Sequence, residues 1–204
     1  MELPLYPSTY MRITQGYMEG THMDSYAIDE AGRDTGIDQI KAPFTGVVKK
    51  IYTTDANEVW LESVDRVLYP DGTEDFMTIM FCHNNDISNL FIGKKIEKGE
   101  AFYQEGTKGN VTGNHCHIEC AKGKFTDTGW HKNSIEYWSI NNGKRPEECL
   151  WVDDTIIILD NHGYNFRKIE VAKEEEDLPK LVFTCERDDL YAISLKKGQS
   201  LYLK

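Results

Sequence analysis

The stretch TGNHCHIEC, residues 112–120, places two histidines one residue apart in a segment that alternates like a β-strand. Successive strand residues face opposite sides of a sheet, so His115 and His117 share one face, about 6–7 Å apart along the strand. Cys116 and Ile118 then face the other side. Imidazoles at this spacing can lean towards a common metal ion, whereas a polar strand face wetted by solvent is the alternative interpretation. The rest of the chain has to decide between the two.

A second segment with metal-ligating side chains is GTHMDSYAIDEAG, residues 20–32. A catalytic zinc ion usually takes three protein ligands from His, Asp and Glu and keeps one position open. His22, one aspartate and one histidine of the HxH pair would complete that set. Asp29 follows the strand-like YAI, whereas Asp24 lies in a predicted turn, where capping the backbone is its ordinary role. We therefore favour Asp29 and keep Asp24 as the alternative; a turn or cap residue before Gly32 is the structural alternative for Asp29.

The remaining histidines lie at strand ends and turns. His83 ends the predicted strand in FCHNN, where it would face either a groove rim or solvent, and His131 and His162 lie in turn-like contexts that predict surface exposure. Glu119, on the face of the HxH pair, would orient an imidazole as its outer partner. A thiol nucleophile is disfavoured, because Cys82 and His83 are neighbours in a strand and should face opposite ways. The sequence also lacks GxSxG, Walker and HExxH motifs.

Composition excludes several classes of protein. The chain has 204 residues and a formal net charge of −11, from 34 acidic and 23 basic side chains, which argues against a nucleic-acid partner. No apolar run reaches the length of a membrane span, and the N-terminus lacks the basic and apolar regions of a secretory signal. The five cysteines include no CxxC pair, which predicts buried thiols in a chain that folds in a reducing cytosol.

Helix signals are scarce, and short strands separated by Gly, Asn and Asp turns predict a mainly β fold. A turn-rich stretch, residues 139–149, marks a shift in composition. We predict a main domain over residues 1–140 and a small β-rich C-terminal region of unknown role over residues 141–204. Strands are predicted in the main domain at residues 26–29, 46–53, 58–64, 76–83, 101–105 and 115–121. Those of the C-terminal region are predicted at residues 151–159, 165–171, 180–185, 190–195 and 200–203, with a solvated acidic loop, KEEEDLPK, at residues 173–180.

Taken in order, these segments resemble the lysostaphin-type zinc endopeptidases, which cut peptide bonds in bacterial peptidoglycan. The family pattern is an early His and Asp, APxxGxV, a strand ending in His, GxxVxxGxxIxxxGxTG, and an HxH strand ending in Glu. The counterparts here, over about residues 15–125, are THMDSYAID, APFTGVV, MFCHNNDISNL, IGKKIEKGEAFYQEGTKGNVTG and NHCHIE. The resemblance implies a lysostaphin-like antiparallel β-sheet, a barrel-sandwich hybrid with an open groove, together with the small β-rich C-terminal appendage.

The resemblance also implies roles for single residues. It implies that His22, Asp29 and His117 bind Zn²⁺, and that His83 and His115 are the non-ligand histidines near the attacking water and the scissile carbonyl. One of these two would act as general base, and the other would stabilise the oxyanion or protonate the leaving amine. The sequence leaves open which histidine takes which part.

Three positions depart from the family pattern. His22 and Asp29 have six residues between them instead of three, and Asn114 and Asn84 replace a common proline and leucine. None of these changes removes a catalytic group. The whole segment, including NGKRPEECLW, most resembles lysins or tail-associated hydrolases of phages that infect Gram-positive bacteria. We therefore expect a protein made in the cytoplasm that acts at the bacterial cell wall after release, or as part of a phage particle, with the C-terminal region as a candidate for virion or wall association.

Other classes of function also fit parts of the sequence. APFTGVV and GKKIEKGE also resemble the two halves of biotinyl or lipoyl carrier domains, but the chain lacks a lysine flanked by methionines in a hairpin. That interpretation also leaves four histidines unexplained. A protein that binds peptidoglycan without cutting it, and a structural virion tail protein with a structural zinc, remain the alternatives.

Overall fold

The computed structural model describes residues 1–126 and 130–170. They form seventeen strands, one 3-10 helix, Gly20–His22, and one short α-helix, α1, Pro146–Cys149, so the prediction of a mainly β fold is confirmed. The strands are β1 Tyr10–Gln15, β2 Ile28–Glu30, β3 Gln39–Lys41, β4 Gly46–Tyr52, β5 Glu58–Ser63, β6 Val67–Leu68, β7 Glu74–Asp75, β8 Met77–Cys82, β9 Lys95–Ile96, β10 Ala101–Gln104, β11 Cys116–Lys122, β12 Trp130–Lys132, β13 Trp138–Ile140, β14 Gly143–Lys144, β15 Trp151–Val152, β16 Ile157–Asp160 and β17 Arg167–Lys168. No helix among these residues is long and apolar enough to cross a membrane.

Most predicted strands are present, with shifted bounds. β4, β5, β8, β10 and β11 match their predicted segments, and β2 begins two residues later than predicted. The segment 151–159 is two strands, because the Asp153 carboxylate accepts the Thr155 N–H (2.8 Å) and closes a turn between β15 and β16. β1 was not predicted. The predictions for residues 173–180, 180–185, 190–195 and 200–203 lie outside the described residues.

The main sheet has nine strands, in the order β16-β1-β2-β11-β8-β5-β4-β9, with β14 also paired to β11. All of these pairs are antiparallel except β1 with β16. β11 lies between β2 and β8, and its His117 is directly opposite Asp29 on one side and Cys82 on the other. The register therefore brings side chains from three strands to one point on one face of the sheet.

Strand β8 is covered on both faces, as the apolar residues on both of its faces predict. All six residues of MTIMFC are buried. Met77, Ile79 and Phe81 belong to the main hydrophobic core, whereas Met80 and Cys82 pack in a smaller cluster with Trp60. Full burial of one such apolar side chain stabilises the fold by roughly 1.5–3 kcal/mol. β8 is thus a rigid neighbour for β11.

Residues 141–170 contact the main sheet directly. β16 pairs with the edge strand β1, and β14 pairs with β11 at Cys120 and Ala121. The compact unit that contains them spans Met1–Glu170. The predicted division into residues 1–140 and 141–204 stays a prediction, since most of the second region lies outside the described residues.

Candidate metal centre

Three elements bring the predicted ligands together. Asp29 in β2 and His117 in β11 face each other across the strand pair, with 3.1 Å between His117 Nδ1 and Asp29 Oδ1. His22 ends the 3-10 helix, and its Nε2 lies 3.3 Å from the same oxygen. One donor atom from each residue lies within 4.8 Å of the other two. Asp24, the alternative ligand, is exposed in a left-handed turn (φ 59°) and lies outside this group.

The tautomers of the two histidines fit a cation. His22 Nδ1 is 3.0 Å from the carbonyl oxygen of Gly16, which only accepts, so Nδ1 carries the proton and Nε2 turns a lone pair towards Asp29. His117 Nε2 lies 3.1 Å from Glu119 Oε1, which leaves Nδ1 facing Asp29. When both rings are neutral, His22 and His117 each turn a nitrogen lone pair towards the Asp29 carboxylate. The lone pairs and the carboxylate repel one another, and a positive charge between the three groups relieves this repulsion.

The spacing of the donors fits zinc. Ligands about 2.0–2.1 Å from a tetrahedral zinc ion lie about 3.3 Å from one another. The two distances to Asp29 Oδ1, 3.1 Å from His117 and 3.3 Å from His22, match this value. Two imidazoles and one carboxylate are also a common ligand set for catalytic zinc. His22, Asp29 and His117 therefore fit this metal in chemistry, and the two distances to Asp29 fit it in spacing.

The electrostatics of the cluster favour positive charge at its centre. Burial alone would raise the pKa of Asp29, but the neighbouring imidazoles of His117 and His22 together outweigh it, and the pKa is lowered. Burial would lower the pKa of His117, but its hydrogen bonds to Asp29 and Glu119 raise the pKa to about 10. The carboxylates of Asp29 and Glu119 lie on either side of His117. They stabilise positive charge there, either as a proton on the His117 ring or as a cation held by the ligands.

His83 and His115 lie beside the ligand group. Their ring centroids are 4.6 Å apart, and His115 Nε2 lies 3.6 Å from Asp29 Oδ1. Each Nδ1 bonds a backbone carbonyl, of Lys108 for His83 (2.8 Å) and of Gly113 for His115 (3.0 Å). Each neutral ring therefore has its lone pair on Nε2. Burial lowers the pKa of His83 to about 4 and also lowers the pKa of His115, so both rings are neutral near pH 7 and are able to accept a proton.

Glu119 lies where the sequence places an outer partner of the HxH pair. Its buried carboxylate receives hydrogen bonds from Ser139 Oγ (2.7 Å) and the Ile140 N–H (2.9 Å) as well as contacting His117. Burial, the largest cause, would raise the pKa of Glu119, but the hydrogen bond and charge of His117, together with the bonds from Ile140 and Ser139, outweigh it and lower the pKa. Ser139 and Ile140 were missed by the sequence reasoning, since no local pattern links β13 to β11.

The cysteines have separate environments. Cys116 and Cys120 are buried in the main core, on the face away from the histidines, as predicted. Cys82, however, lies directly opposite His117, and the positive φ of His83 (87°) turns the chain so that its ring lies 6.0 Å from the His117 ring. Cys82 and His83 therefore lie on the same side of the sheet, contrary to strict alternation. Burial raises the pKa of the Cys82 thiol, which disfavours a thiolate nucleophile.

The two turn histidines differ from each other. His131 is exposed, as predicted, and its Nδ1 lies 2.9 Å from Asn141 Oδ1. His162 is only partly exposed, and its Nε2 lies 3.1 Å from Glu19 Oε1. A contact that joins positions so far apart in the chain leaves no local sequence signal.

No protein-family model matches the chain. Among solved structures, the chain is similar to a zinc-containing peptidase from Vibrio cholerae (18% identity, TM-score 0.45, 60% of this chain and 37% of that one). It is also similar to LytU (20% identity, TM-score 0.45, 67% and 82%) and to the catalytic domain of the antimicrobial peptidase lysostaphin from Staphylococcus simulans (16% identity, TM-score 0.41, 69% and 86%). The chain thus spans little more than a third of the Vibrio peptidase. These similarities are weak, so function has to be argued from the residues of the site.

Proposed function

We propose that the protein is a zinc-dependent endopeptidase that cleaves peptide bonds in the stem or cross-bridge peptides of bacterial peptidoglycan. One observation carries the proposal: His22, Asp29 and His117 converge at zinc-ligand spacing, with two further histidines whose Nε2 atoms are available beside them. A structural zinc site is closed by its protein ligands, whereas three ligands with neighbouring neutral imidazoles are typical of a catalytic site. The order of motifs along the sequence supports the same class.

The chain's own residues provide the proton transfers. Zinc, when held by His22, Asp29 and His117, supplies a Lewis acid that polarises the scissile carbonyl and lowers the pKa of water. We assign the general base to His115, because its Nε2 is 3.6 Å from Asp29 Oδ1 and that carboxylate stabilises the imidazolium once formed. His83 has its Nδ1–H committed to Lys108, so its Nε2 donates to an oxyanion or leaving amine only after taking up a proton.

The biological setting is part of the proposal and is supported by the sequence alone. We propose a phage-associated hydrolase, either a lysin or a tail component, that is made in the cytoplasm and acts at the cell wall. The peptide of peptidoglycan would be its substrate, and residues 141–204 would be the candidate region for association with the virion or the wall.

Zinc content and hydrolysis test the site together. The purified protein is expected to contain about one zinc per chain and to release free amines from Gram-positive cell walls. His115→Ala should keep its zinc and lose amine release, whereas His117→Ala should lose both. His131→Ala changes an exposed histidine outside the site and serves as the matched control. Normal amine release by His117→Ala would overturn the proposed site. An unfolding transition on zinc removal, in a protein that never releases amines, would favour the structural-zinc alternative.

The choice between the two aspartates has its own test. Asp29→Ala removes the carboxylate that both ligand histidines face, so the zinc content should fall to near zero. Asp24→Ala changes an exposed side chain outside the cluster and should leave zinc content unchanged. Elemental analysis of the two proteins, purified in parallel, decides the assignment. The reverse pattern would make Asp24 the ligand.

A further inference from the structure

The imidazole of His22 is oriented from outside the metal centre by the backbone carbonyl of Gly16. Its Nδ1 donates to the Gly16 oxygen at 3.0 Å, and the side chain of His22 is 3% exposed. This bond sets the tautomer and directs Nε2 at Asp29. Outer partners of this kind control how tightly a metal is held. Whatever holds the Gly16 peptide in place therefore also holds the ligand.

Two side chains from the turn at residues 160–164 hold the backbone around Gly16, Tyr164 directly and His162 through Glu19. The Gly16 N–H donates to Glu19 Oε1 (2.6 Å), and the same oxygen lies 3.1 Å from His162 Nε2. In the peptide group that carries the Gly16 carbonyl, the Tyr17 N–H donates to Tyr164 Oη (3.0 Å), and the two tyrosine rings stack at 4.3 Å. The carbonyl that orients His22 is thus fixed through contacts on both of its flanks.

The packing around Gly16 leaves no space for a side chain at this position. A Cβ built on Gly16 would lie 2.1 Å from Tyr164 Oη and 2.6 Å from His162 Cδ2. Real side chains do not approach so closely, so only glycine lets the 160–164 turn pack against this peptide. A contact this close transmits a displacement of the turn directly to the Gly16 carbonyl.

The turn itself is internally braced. The N–H groups of His162 and Gly163 donate to the side chains of Asp160 (2.8 Å) and Asn161 (3.2 Å), and Asn161 Nδ2 donates to the Tyr164 carbonyl (2.7 Å). These are the Asx-type bonds that stiffen turns. The preceding strand β16 pairs with β1, which ends immediately before Gly16. The turn is therefore a rigid support and is anchored next to the peptide that it contacts.

We propose that His162 and Tyr164 are positioning residues of the metal centre, which hold His22 in its ligating orientation through the Gly16 carbonyl. The segment 157–164 is then part of the metal site, although it follows the HxH strand by some forty residues. The inference rests on His22 being a metal ligand in the proposed function. It does not depend on which peptide is cut, or on whether any peptide is cut.

Zinc affinity, measured by competition with a chelating indicator, tests the proposal without reference to hydrolysis. Tyr164→Phe loses the acceptor for the Tyr17 N–H, and His162→Ala loses the contact with Glu19. Each change should raise the Kd for zinc about 10–100-fold. His162→Gln keeps a side-chain N–H donor near Glu19 and should restore most of the affinity. A purely structural role for His162 would give no such rescue.

The matched control is Tyr69→Phe. Tyr69 donates a comparable bond, to the Phe76 carbonyl at 2.8 Å, with no connection to Gly16, so its zinc Kd should equal that of the unmodified protein. Zinc Kd values within twofold of the unmodified protein for both Tyr164→Phe and His162→Ala would overturn the proposal. If Tyr164→Phe fails to fold, His162→Ala and His162→Gln still decide it, since that side chain is partly exposed. Tight zinc binding without amine release would overturn the peptidase and leave this inference standing, whereas no zinc binding at all would overturn both.

Discussion

An unusual backbone conformation positions the His83 side chain. Its φ of 87° is in the left-handed region, which is rare for residues other than glycine and occurs disproportionately at functional sites. Gly106 approaches the His83 carbonyl so closely that a Cβ there would lie 2.1 Å from the oxygen. Gly106 also exchanges two backbone hydrogen bonds with His115, at 3.0 and 3.2 Å. One glycine thus allows the two non-ligand histidines to lie side by side.

Replacement of Gly106 should separate chemistry from metal binding. In Gly106→Ala the new methyl group overlaps the His83 carbonyl, and the strain should cost about 1–3 kcal/mol of stability. Amine release should fall at least tenfold while zinc content is retained, because none of the three ligands contacts Gly106. Gly143→Ala is the matched control, since a Cβ there meets nothing closer than 3.4 Å. Full amine release by Gly106→Ala would show that hydrolysis does not depend on the position of His83.

At the level of elements, β11 carries both a ligand and the group that supports it. His117 and Glu119 are two residues apart on one face, and β13 closes over Glu119 with two hydrogen bonds. A buried carboxylate that accepts from His117 Nε2 keeps the ring in the tautomer with Nδ1 free. The β11–β13 contact is therefore as much part of the metal centre as the β11–β2 pairing.

Glu119→Gln is expected to weaken zinc binding with little change in the fold. The amide keeps the size of the side chain but loses the negative charge. Three donors, from His117, Ser139 and Ile140, point at the carboxylate of the unmodified protein, and the NH₂ group of glutamine would face one of them. Zinc affinity should fall about 10–100-fold by equilibrium dialysis. Ser139→Ala removes one hydrogen bond and leaves the charge, so its effect should be clearly smaller. Equal affinities for Glu119→Gln and the unmodified protein would exclude an orienting role.

Local periodicity predicted part of this arrangement and could not predict the rest. The alternation of residues 115–121 placed His117 and Glu119 on one face, because side-chain direction in a strand depends only on position. The return of the chain from His22 to Asp29 depends instead on a 3-10 helix and a left-handed Asp24. The contact of His162 with Glu19 joins residues 143 positions apart through the β1–β16 pair, and pairing between distant strands leaves no signal in either segment.

Across the whole molecule, buried carboxylates make stability depend on pH, and Glu105 is one of them. Glu105 is 1% exposed; its Oε2 accepts from Asn114 Nδ2 (3.0 Å) and the Asp38 N–H (3.3 Å). Its Oε1 has no hydrogen-bond partner among the described residues, and it approaches Asp38 Oδ2 across the space where Gly32 lacks a side chain. Burial raises the pKa of Glu105 to about 7, and the charges of Asp38 and Asp34 add to the effect.

This raised pKa predicts how stability changes with pH. The unfolded chain has a glutamate pKa near 4.5, so between pH 4.5 and about 7 the folded protein binds the Glu105 proton more tightly than the unfolded one. The stabilisation from that proton is complete below pH 4.5 and is lost as the pH rises through 7. Its size is about 1.4 kcal/mol for each pH unit by which the folded and unfolded pKa values differ. Glu105→Gln, a permanently neutral side chain of the same size, should match the unmodified protein at pH 4, where the carboxyl group is mostly protonated in both states. At pH 8 it should be more stable, by up to about 3 kcal/mol in urea denaturation. Glu74→Gln, at an exposed glutamate, should show no such difference, and equal pH dependence of Glu105→Gln and the unmodified protein would mean that Glu105 is ionised throughout this range.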